Sequence, residues 1–383
     1  MTVRPNVVCP DDWRVVQTLN TPDGIELTVT TEMNDGRLKA ELIAAGRVSV
    51  PKELLAGYRL SKSTAGPGAG GTSLALGWKG SDGRQHQIKL AVAPEADVTA
   101  SIALVVTEGG DLEIRRADGS LAVTGVWLIP IVMHAPDQAF INLSGECIYE
   151  CAFCNTHKME PGKRKVIPPD RWVELVAEAH RKRPLDALAI TSVASPDHEA
   201  MMQAYETVIK GVLDRFPDMA VGVEPYVEDC SDIRRLYDIG AIEIKINVQS
   251  PDPVILGRIC PGWDLERQYR LLEEAVDVFG RGRVTTNVII GLGETDTDIS
   301  SALDRLAAMG VVPSVRAVRV NDGNRDDLER ALGHPVEAVE MDRHIRLARM
   351  LGETLERHGL NAGDIRSMCH RCGCCDLEPG QDV

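Results

Sequence analysis

At 383 residues the chain can form two or three domains, or one barrel with an extension, and a net charge of −15 sets aside a nucleic-acid surface as its main business. Aromatic residues make up 4%, too few for a base-stacking platform. No uninterrupted apolar run reaches about 18 residues, and the first residues lack a basic region followed by an apolar run, so neither a membrane span nor a secretory leader is expected. The ten cysteines are Cys9, Cys147, Cys151, Cys154, Cys230, Cys260, Cys369, Cys372, Cys374 and Cys375. Seven fall in two tight groups, whereas a secreted disulfide framework spreads them. The expectation is a cytoplasmic protein of a reducing compartment.

Residues 1–135 read as a mostly-β domain. Short alternating or apolar runs recur at 24–30, 72–78, 86–92, 101–107, 112–116 and 121–129. The pairs Asp82-Gly83, Gly109-Gly110 and Asp118-Gly119 punctuate them, an antiparallel pattern. The glycine-rich stretch 66–71 lacks the lysine and hydroxyl that end a phosphate loop, and it does not join a strand to a helix. It reads as a flexible loop, with substrate gating as the other reading.

From 136 to 330 strand-like and helix-like runs alternate, which argues for parallel β/α units. Strands are expected at 140–143, 186–192, 219–225, 241–247, 284–290 and 314–320, with helices at 168–180, 198–215, 230–239, 264–279 and 297–309. In such a barrel the loops at the strand C-terminal ends carry the chemistry. Residues 331–383 read as an amphipathic helix at 341–358 and a cysteine-rich tail.

The first strand leads into Cys147, Cys151 and Cys154 at C-x3-C-x2-C spacing, with Phe153 before the last. Thiolates hold iron–sulfur clusters. Three of them on a four-iron cubane leave one iron open for a substrate or cofactor. The competing readings are a zinc knuckle or scattered core thiols, but zinc sites usually come as two C-x2-C pairs. Cys369, Cys372, Cys374 and Cys375 crowd into seven residues of the tail, which also points to a metal: an auxiliary iron–sulfur cluster, zinc, or a reactive thiol pair. Adjacent Cys374 and Cys375 do not comfortably share one cubane, so Cys9, Ser367 or His370 is a candidate to complete the set.

The cysteine loop resembles the signature of the radical S-adenosylmethionine (SAM) enzymes. The stretch Asn247-Val-Gln249, the segment Arg258-Ile-Cys-Pro261-Gly262 and the turn Gly291-Leu-Gly-Glu294-Thr295 are similar to the biotin synthase and lipoyl synthase branch. The resemblance implies an α/β fold: a partial (β/α)6 radical SAM barrel with an N-terminal mostly-β domain and a C-terminal cysteine-rich tail. It implies a [4Fe-4S] cluster on Cys147, Cys151 and Cys154 that cleaves SAM to a 5′-deoxyadenosyl radical, with Phe153 flanking the adenine. By the same resemblance Asn247 and Gln249 contact the ribose and methionyl group, and Ile290 and Gly291 form the adenine-side strand. Gln249 stands where the family has an acid. Thr191 and Ser192 stand where it has glycine–glycine–glutamate, and would contact the SAM amino group by hydroxyl. Glu224, ending the third strand, faces the site in this register.

The tail's position is similar to archaeal-type, two-protein lipoyl synthases. The function this implies is sulfur insertion into an unactivated C–H bond of an octanoylated lipoyl-carrier-type protein. The second [4Fe-4S] cluster would donate the sulfur, ferredoxin or flavodoxin would be the reductant, and a companion radical SAM protein would assist. Such a site needs apolar, dry barrel walls. The alternatives are another radical SAM reaction, biotin-synthase-like or peptide-modifying, whose auxiliary cluster binds substrate or relays electrons, and a non-catalytic iron–sulfur or zinc scaffold. His134, His157 and His180 read as surface or satisfied core histidines, and Cys230 and Cys260 as small hydrophobes. Arg316 and Arg319, three apart on the sixth strand, are expected on opposite faces.

Overall fold

The computed structural model describes residues 14–20 and 26–32 by their backbone, and 35–56, 58, 60, 71–93, 100–130, 135, 138–143, 145–158 and 166–383 in full. Cys9, His134 and the glycine-rich stretch through Gly70 lie outside the described residues.

Strands β1 (Arg14–Asn20) and β2 (Glu26–Glu32) form an antiparallel hairpin. Helix α1 (Asp35–Ala45) and strand β3 (Arg47–Ser49) follow, then β4 (Ser73–Lys79), β5 (Gln85–Ala93), β6 (Ile102–Val106), β7 (Leu112–Arg116) and β8 (Leu121–Ile129). Strands β3 to β8 close into a small barrel in the order β3-β5-β4-β8-β7-β6. Its hairpin turns fall where the glycine pairs predict, with Gly83, Gly110 and Gly119 at positive φ. Leu74, Leu76, Trp78, Ile88, Leu104 and Ile114 are buried in it. The sequence reading missed α1, which is short and carries a lysine, Lys39, in the middle of its buried face.

The second unit alternates strand and helix: β9 (Ala139–Leu143), α2 (Pro169–Lys182), β10 (Ala187–Ser192), α3 (His198–Leu213), β11 (Ala220–Glu224), α4 (Cys230–Asp238) and β12 (Glu243–Lys245). Then come α5 (Pro253–Ile259), α6 (Leu265–Phe279), β13 (Val284–Ile290), α7 (Asp296–Met309) and β14 (Val311–Ala317). All six strands are parallel, in the order β14-β13-β12-β11-β10-β9, so the barrel is partial, with β9 and β14 as its two edges. Side-chain caps start five of the helices of this unit: Asp197 for α3, Asp229 for α4, Asp252 for α5, Asp264 for α6, and a Thr295–Asp298 capping box for α7. Helix α6 buries Leu265, Tyr269, Leu272, Ala275 and Phe279, a stripe of helical period facing the sheet. The chain continues through α8 (Arg325–Leu332) and α9 (Met341–Arg357) to a last short helix, α10 (Met368–Cys372).

Two strands end earlier than their sequence patterns. β12 stops at Lys245; beyond it the Val248 amide donates to Thr286 Oγ1 and Gln249 turns the chain at φ 65°. β14 ends at Ala317, so Arg319 lies beyond it.

The tail seals the partial barrel's open seam. Gln138, just before β9, bonds both backbone groups of Met368: its Nε2 donates to the carbonyl at 2.7 Å and its Oε1 accepts from the amide at 3.0 Å. That pair holds Met368 at φ 62°, a conformation that L-residues adopt only when surroundings impose it. At the other edge Asp376 Oδ1 accepts from the Ala317 amide at 3.1 Å. Gly222 in β11 leaves room for Ser367, whose Oγ would lie 1.9 Å from a Cβ there. The outer side of the tail lies on the small barrel, with the Lys89 amide donating to the Cys374 carbonyl at 2.8 Å and Gln87 Nε2 to the Cys372 carbonyl.

Candidate active site

One cavity of about 1050 Å³ runs through the partial barrel, and both cysteine groups line it. Cys147, Cys151 and Cys154 come from the loop after β9; Cys369, Cys372, Cys374 and Cys375 come from the tail. The loop is pinned by its neighbours. The Ile148 amide donates to the Ala194 carbonyl at 2.9 Å, and the Ala152 amide to Ile259 at 2.7 Å. Asn324 Nδ2 donates to the Phe153 carbonyl at 3.0 Å. Burial pushes the Cys154 thiol up, opposed by bonds with Thr156, whose amide lies 3.4 Å from Cys154 Sγ. Such N–H···S bonds are one way proteins tune a cluster's potential.

The residues fit iron–sulfur clusters better than a lone zinc ion. Tetrahedral thiolates on zinc, at about 2.3 Å, stand about 3.8 Å apart. Among the described residues no three cysteine sulfurs lie within 4.8 Å of one another. A cubane sets each thiolate on a separate iron and asks for that wider spread. The tail cysteines also have cations around them. Lys245 Nζ lies 3.3 Å and Arg316 Nη1 3.1 Å from Cys369 Sγ, and buried Lys89 feels all four tail cysteines. Burial pushes the Cys375 thiol up to about 11, so iron would have to displace its proton. Ser367 and His370 are committed elsewhere: Ser367 Oγ donates to Glu243, and His370 meets Ser314 Oγ at 3.1 Å and Glu378 Oε2 at 2.7 Å.

Polar side chains at the strand ends converge between the two groups. Glu224 Oε1 accepts from Asn247 Nδ2 at 2.6 Å, and Asn247 Oδ1 accepts from the Asn287 amide at 3.3 Å. Gln249 exchanges backbone bonds with Asn287 and Ile289. Phe153, Thr191, Ser192, Glu224, Asn247 and Gln249 all line the cavity. Ser192 Oγ is buried there beside the Tyr205 hydroxyl. Ile290 and Gly291 do not line it: Ile290 is fully buried, and the Gly291 amide donates to Glu294 Oε1 at 2.7 Å. From β13 the lining residues are Asn287 and Ile289.

Two further expectations change. The walls are mixed rather than uniformly apolar: Lys245, Glu224, Asn247, Asn287 and Arg316 line the cavity beside Phe140, Ile246, Ile289 and Val318. Arg316 and Arg319 do not diverge: with Arg319 past the strand end, both reach Asp376, at 2.9 and 3.4 Å. Cys260 is the small buried hydrophobe expected; it lies beside Cys151, whose contact and burial both raise its thiol. Sequence reasoning also missed an aromatic group at the cavity, Tyr149, Tyr226 and Trp263, with centroids 5.5 to 5.7 Å apart along its contacts. Its three residues come from separate loops and leave no periodic signal. His157 lies 3.8 Å from Asp327, and His180 Nδ1 pairs with the Leu185 backbone, so neither joins the site.

Residues 141–306 match the radical SAM superfamily, so that part of the chain carries a radical SAM domain. Lipoyl synthases are among its curated relatives. The one from Oleidesulfovibrio alaskensis is 31% identical over 45% of this chain, and the chain spans 57% of that relative's length. The one from Mycobacterium bovis is 27% identical over 62% of this chain and 73% of its own length. The FeFe-hydrogenase maturase HydG from Carboxydothermus hydrogenoformans superposes with a TM-score of 0.48 at 13% identity, over 64% of this chain and 60% of that chain.

Proposed function

We propose that the chain is a radical SAM sulfurtransferase of lipoyl-synthase type, acting on an octanoylated carrier protein. The observation that carries this reading is that both cysteine groups line one cavity. When bound, a [4Fe-4S] cluster with SAM supplies a carbon radical able to take hydrogen from an unactivated C–H bond, and an auxiliary [4Fe-4S] cluster supplies sulfur. Cys147, Cys151 and Cys154 would hold the first, and Cys369, Cys372 and one or both of Cys374 and Cys375 the second. Asn247, Gln249, Thr191 and Ser192 would orient SAM, with Glu224 fixing the Asn247 amide by its 2.6 Å bond. Lys245, Arg316 and Lys89 would offset the charge of the tail thiolates. A ferredoxin or flavodoxin would supply the electron. The relatives lend no support to a companion protein, and the reading does without one. No helix among the described residues is long and apolar enough to cross a membrane; a cytoplasmic location is part of the proposal.

A second reading is favoured by the same cations. A radical SAM enzyme whose auxiliary cluster binds substrate or relays electrons would use Lys245 and Arg316 to receive an anionic substrate group.

Iron and acid-labile sulfide per chain test the shared basis of both readings. About eight irons in the anaerobic wild type, and about four in a Cys369/Cys372/Cys374/Cys375→Ala variant, are expected for two cubanes. Single turnover with an octanoylated carrier then separates them: loss of about four irons with thiolated product supports sulfur insertion, and an intact iron count during turnover removes it.

A further inference from the structure

The small barrel carries a second polar centre, outside the cysteine-lined cavity. His86, on β5, is 2% exposed and stacks on Trp78 at 5.5 Å between centroids. Its Nδ1 lies 3.2 Å from Asp382 Oδ1, a tail carboxylate that is itself fixed by buried Lys39 at 2.5 Å and by the Glu378 amide at 2.8 Å. Its other nitrogen, Nε2, is buried and has no hydrogen-bond partner. That atom faces two more carboxylates, Asp82 Oδ1 at 3.5 Å and Asp35 Oδ2 at 4.0 Å.

The arrangement has an electrostatic consequence. A donor at Nδ1, facing the Asp382 carboxylate, leaves the lone pair at Nε2 pointing at two anions. Only a cation between them relieves this: a proton on Nε2, or a metal ion held by all three groups. Burial opposes a charged ring, yet the carboxylates around it hold the imidazole toward its protonated form, so a proton and a metal ion compete for Nε2. The three ligand atoms lie within 4.8 Å of one another, a gap an ion can close with small side-chain movements. The carboxylates are already steered. Asp35 accepts from the Ser81 amide and hydroxyl, each at 2.9 Å, and from Trp78 Nε1 at 3.3 Å. Asp82 Oδ1 accepts from the Arg84 amide at 2.8 Å, while the Arg84 side chain approaches the opposite oxygen, Oδ2, at 3.6 Å. Gly80 leaves the space in which these groups meet, since a Cβ there would fall 2.6 Å from Asp35 Oδ2 and 2.7 Å from His86 Cδ2. A carboxylate behind the far nitrogen of a ligating histidine is the usual outer support of a metal site. Asp82 is exposed, so an ion has a way in.

We propose that His86 Nε2, Asp35 and Asp82 bind a divalent first-row cation of the manganese or zinc class, with Asp382 orienting the histidine. One imidazole and two carboxylates, with water completing the shell, suit such ions and offer nothing that favours soft metals. The site joins α1, the β4–β5 hairpin and, through Asp382, the tail. Its occupancy therefore locks the segment that carries Cys369 to Cys375 against the small barrel. It stands apart from the sulfur-insertion reading and survives or fails independently of it.

Manganese(II) is the probe, because it discriminates against the ten thiols. The cluster-loaded full chain is titrated with Mn2+ and followed by electron paramagnetic resonance. One saturable Mn2+ per chain is expected, retained in the Cys369/Cys372/Cys374/Cys375→Ala variant and weakened at least about tenfold in Asp82→Asn. Asp82 sits on an exposed turn, so that variant keeps its fold. Mn2+ is also expected to raise the melting temperature of the wild type but not of Asp82→Asn, and to slow amide exchange over residues 378–383. No saturable binding up to about 1 mM, or equal binding by wild type and Asp82→Asn, overturns the proposal; the first result would leave His86 as a protonated partner of its carboxylates.

Discussion

The two cysteine groups reach the same cavity by opposite routes. Cys147, Cys151 and Cys154 lie on one short loop, and its anchors are mostly the barrel elements that follow it: the Ala194 and Ile259 carbonyls and Asn324. The tail cysteines are placed by partners very distant in the chain. Lys39 Nζ binds the Gly373 carbonyl at 2.6 Å across 334 positions, and Gln138 fixes Met368 across 230. The difference teaches that a site written into spacing is readable locally, while a site written into docking depends on two folded barrels. It also predicts different fragility. Damage to the loop should remove chemistry and spare the fold; damage around the tail should do both.

The sharpest break of the comparison is at the loop. Cys147/Cys151/Cys154→Ala should abolish reductive SAM cleavage, checked by 5′-deoxyadenosine release, and lower iron by about four per chain while circular dichroism stays unchanged. Next, the Cys369/Cys372/Cys374/Cys375→Ala variant should still cleave SAM yet form no sulfur-inserted product; retained product would contradict the proposed role of the tail.

Asp382→Ala tests docking without touching a cysteine. It strands Lys39, fully buried, with its charge uncompensated. The expected cost is about 3–5 kcal/mol in urea unfolding, largely recovered by adding Lys39→Met. If the single substitution proves mild, the tail is held by something other than this pair.

A smaller effect comes from His344, in α9, whose burial holds its pKa down to about 4. The unfolded chain takes up the proton near pH 6.5, before the folded one does. Stability is therefore full above pH 6.5, falls as pH drops, and levels off below about pH 4, for a total of about 3 kcal/mol. His344→Gln should flatten that slope in denaturant titrations between pH 7 and 5. Smallest of all, Asn247→Ala should weaken SAM binding by about tenfold, the loss of roughly one well-made hydrogen bond, with iron content unchanged.

Much of the partial barrel was legible because parallel β/α units repeat. Valine- and isoleucine-rich runs such as Val284–Ile290 alternate with capped helices, and the cysteine spacing announced a cluster loop. Strand ends were less legible. Gln249 turns at positive φ, held by backbone bonds to β13 that no propensity encodes. The polarity of the cavity was missed because Lys245 and Arg316 look like ordinary surface charges until the tail covers them. Helix α1 was missed because Lys39 breaks its apolar face, and the partner that permits this, Asp382, lies 343 positions away. The Asp35–Asp82–His86 centre has the same cause, being split between a helix start and a hairpin turn.

The sealed seam also orders events in time. A ribosome delivers both barrels before residues 366–383, so the auxiliary ligands emerge when everything they dock on has been made. Until then the partial barrel stands open along β9 and β14, with the loop cysteines already displayed. On the proposed assignment, the first cluster could be installed through that gap before the tail docks, whereas the second would need the tail in place.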